Sequence, residues 1–223
     1  HKLVLDIHGV YKPTGLNRTY PNVINFEGVY GLEELKWSNP NMPEYDVTFP
    51  YIRMVQGPAD YTPGAMRNAT REGFKIEYYT PMSQGTRCHQ LGMYVIFESP
   101  FNMLCDSPQS YEREKECTEF IAKIPTVWDE TLAVDGQVGE YIVMARRSGD
   151  KWYVGGITGH SGRKVTLDLG FLGEGSWDME LFEDGINAER HAEDYRKVTG
   201  SVGETLEVKM APGGGFAVIF TKR

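Results

Sequence analysis

Two carboxylates around a glycine-containing loop are the residues of this sequence best suited to do chemistry. Glu27 follows a short apolar run, and Glu33 lies in the loop after it, which Gly28 and Gly31 make pliable. A carboxylate at the end of a strand and a second one in the following loop can supply a general acid or bind a divalent cation. The alternative interpretation is that Glu27, Glu33 and Glu34 are solvated loop charges.

A histidine ends the preceding apolar run. His8 is followed by Gly9, which allows a ligand to approach the backbone closely. A lone histidine beside a strand is more often a packed or surface residue than a catalyst, so both interpretations stay open. Three further loop residues are candidates for contacts with the hydroxyl groups or ring face of a ligand: Arg18, Trp37 and Asp60.

The elements that must position these residues are two short, mostly apolar runs, at residues 2–7 and 22–27. Such runs are typical of parallel strands that are covered on both faces. Strands that lead into acidic loops indicate part of a (β/α) barrel, whose active site lies at the C-terminal ends of its strands. Residues 64–84 lack clear periodicity and are interpreted as a long barrel insertion.

Helical spacing of apolar residues predicts three helices, over residues 46–55, 86–99 and 110–124. Asp46 is expected near the N-cap of the first, with Pro50 within its first turn, and Ser110 is expected to cap the third. Pro125 ends the third helix and predicts a domain boundary, with a barrel part over 1–124 and a second domain over 125–223.

The second domain is predicted to be all-β. Short runs separated by Gly, Asp and Ser turns recur through it, and several of them alternate with period 2. These runs lie at residues 141–146, 152–157, 165–169, 177–182, 206–210 and 215–220. Short strands at this spacing indicate an antiparallel β-sandwich with Greek-key links. The predicted fold class is therefore α/β plus all-β.

Composition excludes several classes of function. The formal net charge of −8, without a cluster of Lys or Arg, argues against nucleic acid as a partner. No apolar run approaches the roughly 20 residues needed to span a bilayer, so no membrane partner is expected. Cys88, Cys105 and Cys117 are interpreted as free thiols, and a Cys105–Cys117 bridge is the alternative in an oxidising compartment.

Several motifs resemble glycoside hydrolase family 97. They are His8-Gly9, Lys12-Pro13-Thr14-Gly15, Arg18-Thr19-Tyr20-Pro21-Asn22, Glu27, Gly31-x-Glu33, Gly57-Pro58-x-Asp60-Tyr61-Thr62-Pro63-Gly64 and Gly85-Thr86-Arg87-x-His89-Gln90-Leu91. Members of that family carry an N-terminal β-sandwich, a central (β/α)8 barrel and a C-terminal β-domain. The resemblance implies that this chain, which begins at His1 without an initiator Met, is the last part of the barrel plus the C-terminal domain. Its partner would be the N-terminal remainder of the same enzyme.

The resemblance also implies roles for individual residues. Glu33 matches the catalytic acid, Glu27 and Glu33 match carboxylates around a bound calcium ion, and His8 matches a substrate-contacting histidine. The inverting α-glucosidases of the family carry a Glu directly after that histidine as part of the base apparatus. Here the residue is Gly9, as in the branch that retains configuration, uses an Asp nucleophile on an earlier barrel strand and is associated with α-galactosidase activity.

The function expected from the resemblance is a retaining exo-acting α-glycosidase of the α-galactosidase type. Its substrate would be an oligosaccharide or α-galactoside, bound with the help of His8, Arg18, Trp37 and Asp60, and its cofactor would be calcium. The isolated chain is expected to be inactive because the nucleophile would lie upstream. The alternatives are an inverting α-glucosidase of the same family and a non-catalytic carbohydrate-binding or structural fragment. A periplasmic location is also implied.

Overall fold

The computed structural model describes residues 2–223, and His1 lies outside the described residues. The chain begins with two parallel strands, β1 (Leu5–Ile7) and β2 (Val23–Phe26), which the short helix α1 (Leu16–Thr19) connects. Ile7 lies opposite Phe26, so both strands end at the same edge. The strands predicted over 2–7 and 22–27 are present, with shorter bounds. β2 is largely buried as expected, but β1 has no buried residue, so the prediction that it is covered on both faces was wrong.

Helices follow, interrupted by two very short strands. In chain order the elements are α2 (Met42–Ile52), β3 (Asn68–Ala69), β4 (Ser83–Gln84), α3 (Arg87–Ile96), α4 (Pro108–Arg113) and α5 (Lys115–Ile121). A 3-10 helix over Leu32–Lys36 precedes α2, and a second one over Met54–Gln56 follows it. β3 and β4 pair in parallel and are the only strands of residues 64–84, in agreement with the irregular segment predicted there.

Helix α2 begins one turn before the predicted start. Pro43 lies in its first turn, where a missing N–H costs nothing, and Pro50 lies inside the helix. Asp46 is therefore not an N-cap, and that prediction was wrong. Its buried carboxylate accepts a hydrogen bond from Tyr61 Oη at 2.6 Å and lies 3.2 Å from His89 Nε2. Burial raises the pKa of Asp46.

The third predicted helix is two helices. Ser107, not Ser110, caps α4, because its Oγ accepts from the Ser110 N–H at 3.2 Å. Glu114, with φ −99° and ψ 44°, separates α4 from α5. The predicted start of the second helix is confirmed, since Thr86 caps α3 by accepting from the His89 N–H at 3.1 Å.

The second half is a β-sandwich of eight strands. They are β5 (Glu130–Gln137), β6 (Tyr141–Ser148), β7 (Lys151–Thr158), β8 (Arg163–Asp168), β9 (Trp177–Asp184), β10 (Tyr195–Val202), β11 (Thr205–Met210) and β12 (Gly215–Lys222). Six form an antiparallel sheet in the order β10-β9-β12-β7-β6-β5, and β8 pairs with β11. Apolar side chains of both sheets form one core, including those of Val154, Val165, Val208 and Phe216. All six predicted strands are present. The sequence analysis missed β5 and β10, the two edge strands of the six-stranded sheet.

Helix α3, which belongs to the first half of the chain, packs against the β-sandwich of the second half. All of its residues are buried, and it packs against β7 and β12. The approach is close at Gly92, where an added Cβ would lie 2.9 Å from the Gly156 carbonyl oxygen and 3.0 Å from that of Phe216. His89 Nδ1 lies 3.1 Å from the Gly214 carbonyl oxygen. The domain division at 1–124 and 125–223 stays a prediction.

Gly92→Ala tests whether α3 can lie this close to the sheet only because residue 92 has no side chain. Alanine is favoured over glycine by about 1 kcal/mol in an open helix. We expect instead a loss of about 1–3 kcal/mol in the free energy of unfolding, since backbone atoms of the sheet must move away. Denaturant unfolding measures this change. Gly203→Ala, where a Cβ meets no atom within 4 Å, is the control, and a gain in stability for Gly92→Ala would contradict the contact.

Cys88, Cys105 and Cys117 are all free, so the interpretation as free thiols is confirmed and the Cys105–Cys117 bridge is not formed. In the part of the chain that the structure describes, no helix has the length and apolar character needed to cross a membrane.

Candidate active site

The two parallel strands bring His8 and Glu27 together. The Glu27 N–H donates to the Ile7 carbonyl at 2.9 Å, so the residues after each strand are neighbours. Glu27 Oε2 accepts from the Gly9 N–H at 2.6 Å, and Glu27 Oε1 lies 3.6 Å from His8 Nδ1. This contact lies at the carboxyl edge of β1 and β2, the edge at which the barrel interpretation expects an active site.

A third segment adds Asp60 to this pair. The Asp60 N–H donates to the Phe26 carbonyl at 2.9 Å, so the segment lies alongside β2. The Asp60 side chain is 1% exposed, and its Oδ2 lies 2.5 Å from Nε2 of His8, whose side chain is 51% exposed. This hydrogen bond raises the pKa of His8. The structure thus places Asp60 behind His8, while His8 faces the solvent.

Asp6 belongs to the same group and was missed by the sequence analysis. It lies on β1 opposite Asn25, whose Nδ2 donates to Asp6 Oδ2 at 3.3 Å. One ligand atom each of Asp6, His8 and Asp60 lie within 4.8 Å of one another. Burial, together with the charge of Asp60, raises the pKa of Asp6 to about 6. The strand period of two could have indicated Asp6, because it shares a face with His8.

Asp6→Asn is expected to stabilise the fold at pH 8 and not at pH 4. A carboxyl whose pKa rises on folding from 3.8 to about 6 carries no penalty below pH 3.8 and its full penalty above pH 6. Asparagine removes the ionisation and with it the penalty. Thermal unfolding of both proteins across this pH range measures the difference. A difference that does not change with pH would show that Asp6 does not titrate in this way.

Glu33 lies on the 3-10 helix Leu32–Lys36, which buried Leu32 and Leu35 anchor. Glu33 is exposed, and it lines a cavity of about 280 Å³ together with Lys36 and Thr62. Among residues 2–223, no protein group forms a hydrogen bond or an ion pair with the Glu33 carboxylate. Both of its oxygens are thus available to a ligand.

The turn beneath this helix is strained. Thr62 has φ +59°, a left-handed conformation that β-branched residues rarely adopt, and its Oγ1 donates to the Tyr61 carbonyl at 2.6 Å. The same carbonyl accepts from the Leu32 N–H at 3.3 Å and so ties the 3-10 helix to the turn. Strain of this kind concentrates at functional sites, and no sequence pattern predicts it here.

Arg53 holds the loops of the site together. Its guanidinium is buried and donates hydrogen bonds of 3.0–3.3 Å to five backbone carbonyls, those of Phe26, Glu27, Gly28, Gly57 and Pro58. Burial lowers the pKa of Arg53. These bonds fix the loop that carries Glu27 to the segment that carries Asp60. Sequence analysis missed this residue.

The remaining predicted residues lie apart from this group. Arg18 is exposed on α1, and within the described chain no hydrogen bond or ion pair joins it to His8, Glu27 or Asp60. Trp37 directly follows the 3-10 helix of Glu33, is 48% exposed, and donates from Nε1 to Glu34 Oε2 at 2.7 Å.

Two family models match the chain. The model described as glycoside hydrolase 97 matches residues 1–29, and the one described as glycosyl-hydrolase 97 C-terminal, oligomerisation, matches residues 127–221. A curated relative from Bacteroides thetaiotaomicron, named a retaining alpha-galactosidase, is 59% identical over 222 residues, which are 98% of this chain and 34% of that protein. The chain belongs to glycoside hydrolase family 97. The resemblance seen in the sequence motifs is thereby confirmed.

Two further family 97 comparisons agree. A probable retaining alpha-galactosidase from Streptomyces bingchenggensis is 33% identical over 219 residues, covering 98% of this chain and 32% of that protein. A solved family 97 enzyme from Pseudoalteromonas sp. strain K8, in complex with panose, superimposes with a TM-score of 0.89 at 32% identity, over 100% of this chain and 35% of that one. The chain spans about a third of the length of these relatives.

The roles of single residues in this family 97 chain rest on the sequence motifs and on where the structure places the side chains. The structure brings His8, Glu27 and Asp60 into one group and places Glu33 at a cavity beside Thr62. The assignments to catalysis, substrate binding and calcium therefore remain predictions.

Proposed function

We propose that this family 97 chain is the C-terminal part of a retaining exo-acting α-galactosidase. In this proposal β1, β2 and the helices after them form the last part of a (β/α)8 barrel, and residues 125–223 form the C-terminal β-sandwich. Two relatives that carry the names retaining and probable retaining alpha-galactosidase support it. So do the parallel strands, whose carboxyl ends carry the candidate residues.

The observation that carries the choice of a retaining mechanism is Gly9. An inverting enzyme needs a base carboxylate about 6.5–9.5 Å from the acid, to fit a water between them, and a retaining one needs a nucleophile at about 5–5.5 Å. Gly9 has φ +64°, and a Cβ there would meet no atom within 4 Å. The position has space for a side chain but supplies no base, and its N–H donates to Glu27 instead.

Glu33 is proposed as the acid and base. It would donate its proton to the glycosidic oxygen while the bond to the anomeric carbon breaks and an Asp nucleophile bonds to that carbon. It would then take a proton from the water that displaces the nucleophile, which restores both carboxyl groups. The nucleophile would come from the part of the relatives that this chain does not span. His8, held by Asp60, would bind a hydroxyl of the sugar.

Calcium is proposed as the cofactor, held in part by Glu27 and Glu33. The chemistry of the donors supports this choice, because both residues offer carboxylate oxygens, the ligands that calcium takes. When bound, calcium would polarise and orient groups near the sugar. Glu27 keeps one oxygen on the Gly9 N–H, so the backbone after β1 would stay fixed to a ligand of the ion.

The β-sandwich is proposed to associate with the remainder of the enzyme. The family model for residues 127–221 is described as C-terminal and oligomerisation, which supports a role in association. A periplasmic location, implied by the family resemblance, is part of the same proposal.

The test uses the full-length protein with an aryl α-galactoside and the matching α-glucoside, and NMR identifies the anomer released first. We expect preferential cleavage of the galactoside with the α-anomer first. The β-anomer first would overturn retention in favour of an inverting α-glucosidase or relative. No hydrolysis of either substrate would overturn the enzyme assignment and favour a non-catalytic carbohydrate-binding or structural role. The 223-residue chain alone is the control and is expected to be inactive.

A further inference from the structure

An exposed aromatic cluster lies next to the helix that carries Glu33. It consists of Trp37, Tyr78 and Tyr79, which are 48%, 57% and 91% exposed. The ring centroids of Trp37 and Tyr78 are 6.4 Å apart, and those of Tyr78 and Tyr79 are 5.4 Å apart. Lys36 Nζ lies 4.8 Å from the Tyr78 centroid and 5.9 Å from that of Trp37. The ammonium group of Lys36 thus bridges two of the three rings, those of Trp37 and Tyr78.

The 3-10 helix connects this cluster to Glu33. Residues three apart share one face of such a helix, and Glu33 and Lys36 accordingly line the same cavity. Glu34 and Trp37 are also three apart, and the 2.7 Å hydrogen bond between them fixes the indole. The side chain of Lys36 therefore extends from the cavity of Glu33 to the aromatic rings.

The chemistry of the cluster fits a sugar. Aromatic rings offer flat apolar faces to the C–H groups of a pyranose, and an ammonium group donates hydrogen bonds to its hydroxyls. An acid that protonates the glycosidic oxygen must lie beside the leaving group. A binding surface next to that acid, such as this aromatic cluster, therefore faces the leaving-group sugar.

We propose that Trp37 and Tyr78, with Lys36 between them, bind the leaving-group sugar of an α-galactoside. This inference rests on the proposed function and adds the residues that recognise the second sugar. Glu34 acts as a positioning residue, because its carboxylate accepts the hydrogen bond of the Trp37 indole and so orients that ring.

The experiment compares two substrates of the full-length enzyme, melibiose, whose leaving group is glucose, and α-galactosyl fluoride, whose leaving group has no ring. Trp37→Ala and Tyr78→Ala should each lower kcat/KM for melibiose by about tenfold, the loss expected for one aromatic contact. Both should leave kcat/KM for the fluoride unchanged, which also reports that the variants fold. Trp37→Phe, which keeps a ring, should recover most of the loss.

Tyr20→Ala is the matched control, since Tyr20 is an exposed tyrosine at the amino end of β2. This substitution should change kcat/KM for neither substrate. An equal loss on both substrates, or no loss on melibiose, would overturn this inference while the proposed function stands. An unmutated enzyme that cleaves neither substrate would overturn the proposed function and this inference with it.

Discussion

Glu33→Gln in the full-length enzyme is expected to lower kcat/KM for melibiose by about 10³-fold, within the range that general acid catalysis provides. Glucose is a poor leaving group and needs a proton as the bond breaks. For α-galactosyl fluoride, kcat/KM should change little, since this quantity reports the first bond cleavage and fluoride departs without a proton. Glutamine keeps the size of the side chain, so the cavity shared with Lys36 and Thr62 is preserved.

The proposed role of Glu33 as a base gives a second part of this prediction. With the fluoride, kcat should fall because water must then attack without a base, and added azide, an anion that needs none, should restore kcat as galactosyl azide forms. Glu72→Gln, an exposed carboxylate at a distance along the chain, is the control and should act as the unmutated enzyme does. Equal losses of kcat/KM on both substrates would exclude Glu33 as the acid.

The centre of the candidate site could be predicted from the sequence because it depends on strand order. Two consecutive strands that pair in parallel end at one edge, so the residues after Ile7 and Phe26 must be neighbours. His8 and Glu27 are those residues. Asp60 was found as a candidate through its motif, but its place behind His8 depends on a hydrogen bond from its own backbone to Phe26, which no local pattern contains.

The missed strands show where periodicity fails. β5 and β10 are the two edges of the six-stranded sheet, and few of their side chains are buried. Only two aliphatic side chains of each strand pack against the core, those of Leu132 and Val134 in β5 and of Val198 and Val202 in β10, and charged or polar residues make up much of the rest. In β10, Arg196 pairs with Glu183 of β9 rather than contributing to a core. Such strands are visible only once their partners are known.

Arg53 shows a second limit of the sequence. Its five acceptors are backbone carbonyls, which every residue possesses, so neither spacing nor residue type indicates the contact. Its position near the end of α2 could equally be that of a surface arginine. The fold brings two loops to it from different parts of the chain, and only the assembled backbone defines the site.

Arg53→Met is expected to lower the free energy of unfolding by about 4 kcal/mol. Methionine fills much of the same space but leaves several buried carbonyls without a donor, and each such group costs about 1–3 kcal/mol where water does not replace the bond. The loss of stability should be greatest around the candidate site, because Arg53 joins the Glu27 loop to the segment that carries Asp60. Denaturant unfolding measures the total, and hydrogen exchange of the Asp60 and Glu27 amides, which bond to Phe26 and Ile7, measures the local part.

Arg147→Met is the matched control for this experiment. Arg147 is a partly exposed arginine of β6 that pairs with Asp129 and Glu130 at the surface, where ion pairs contribute about 0–1 kcal/mol. If Arg53 acts through its buried hydrogen bonds, Arg53→Met must lower the free energy of unfolding several-fold more than Arg147→Met does. Only Arg53→Met must speed hydrogen exchange of the Asp60 amide. Similar losses in both variants, with exchange at Asp60 unchanged, would mean that packing alone holds the loops, and the guanidinium would then have no part in positioning His8 and Glu27.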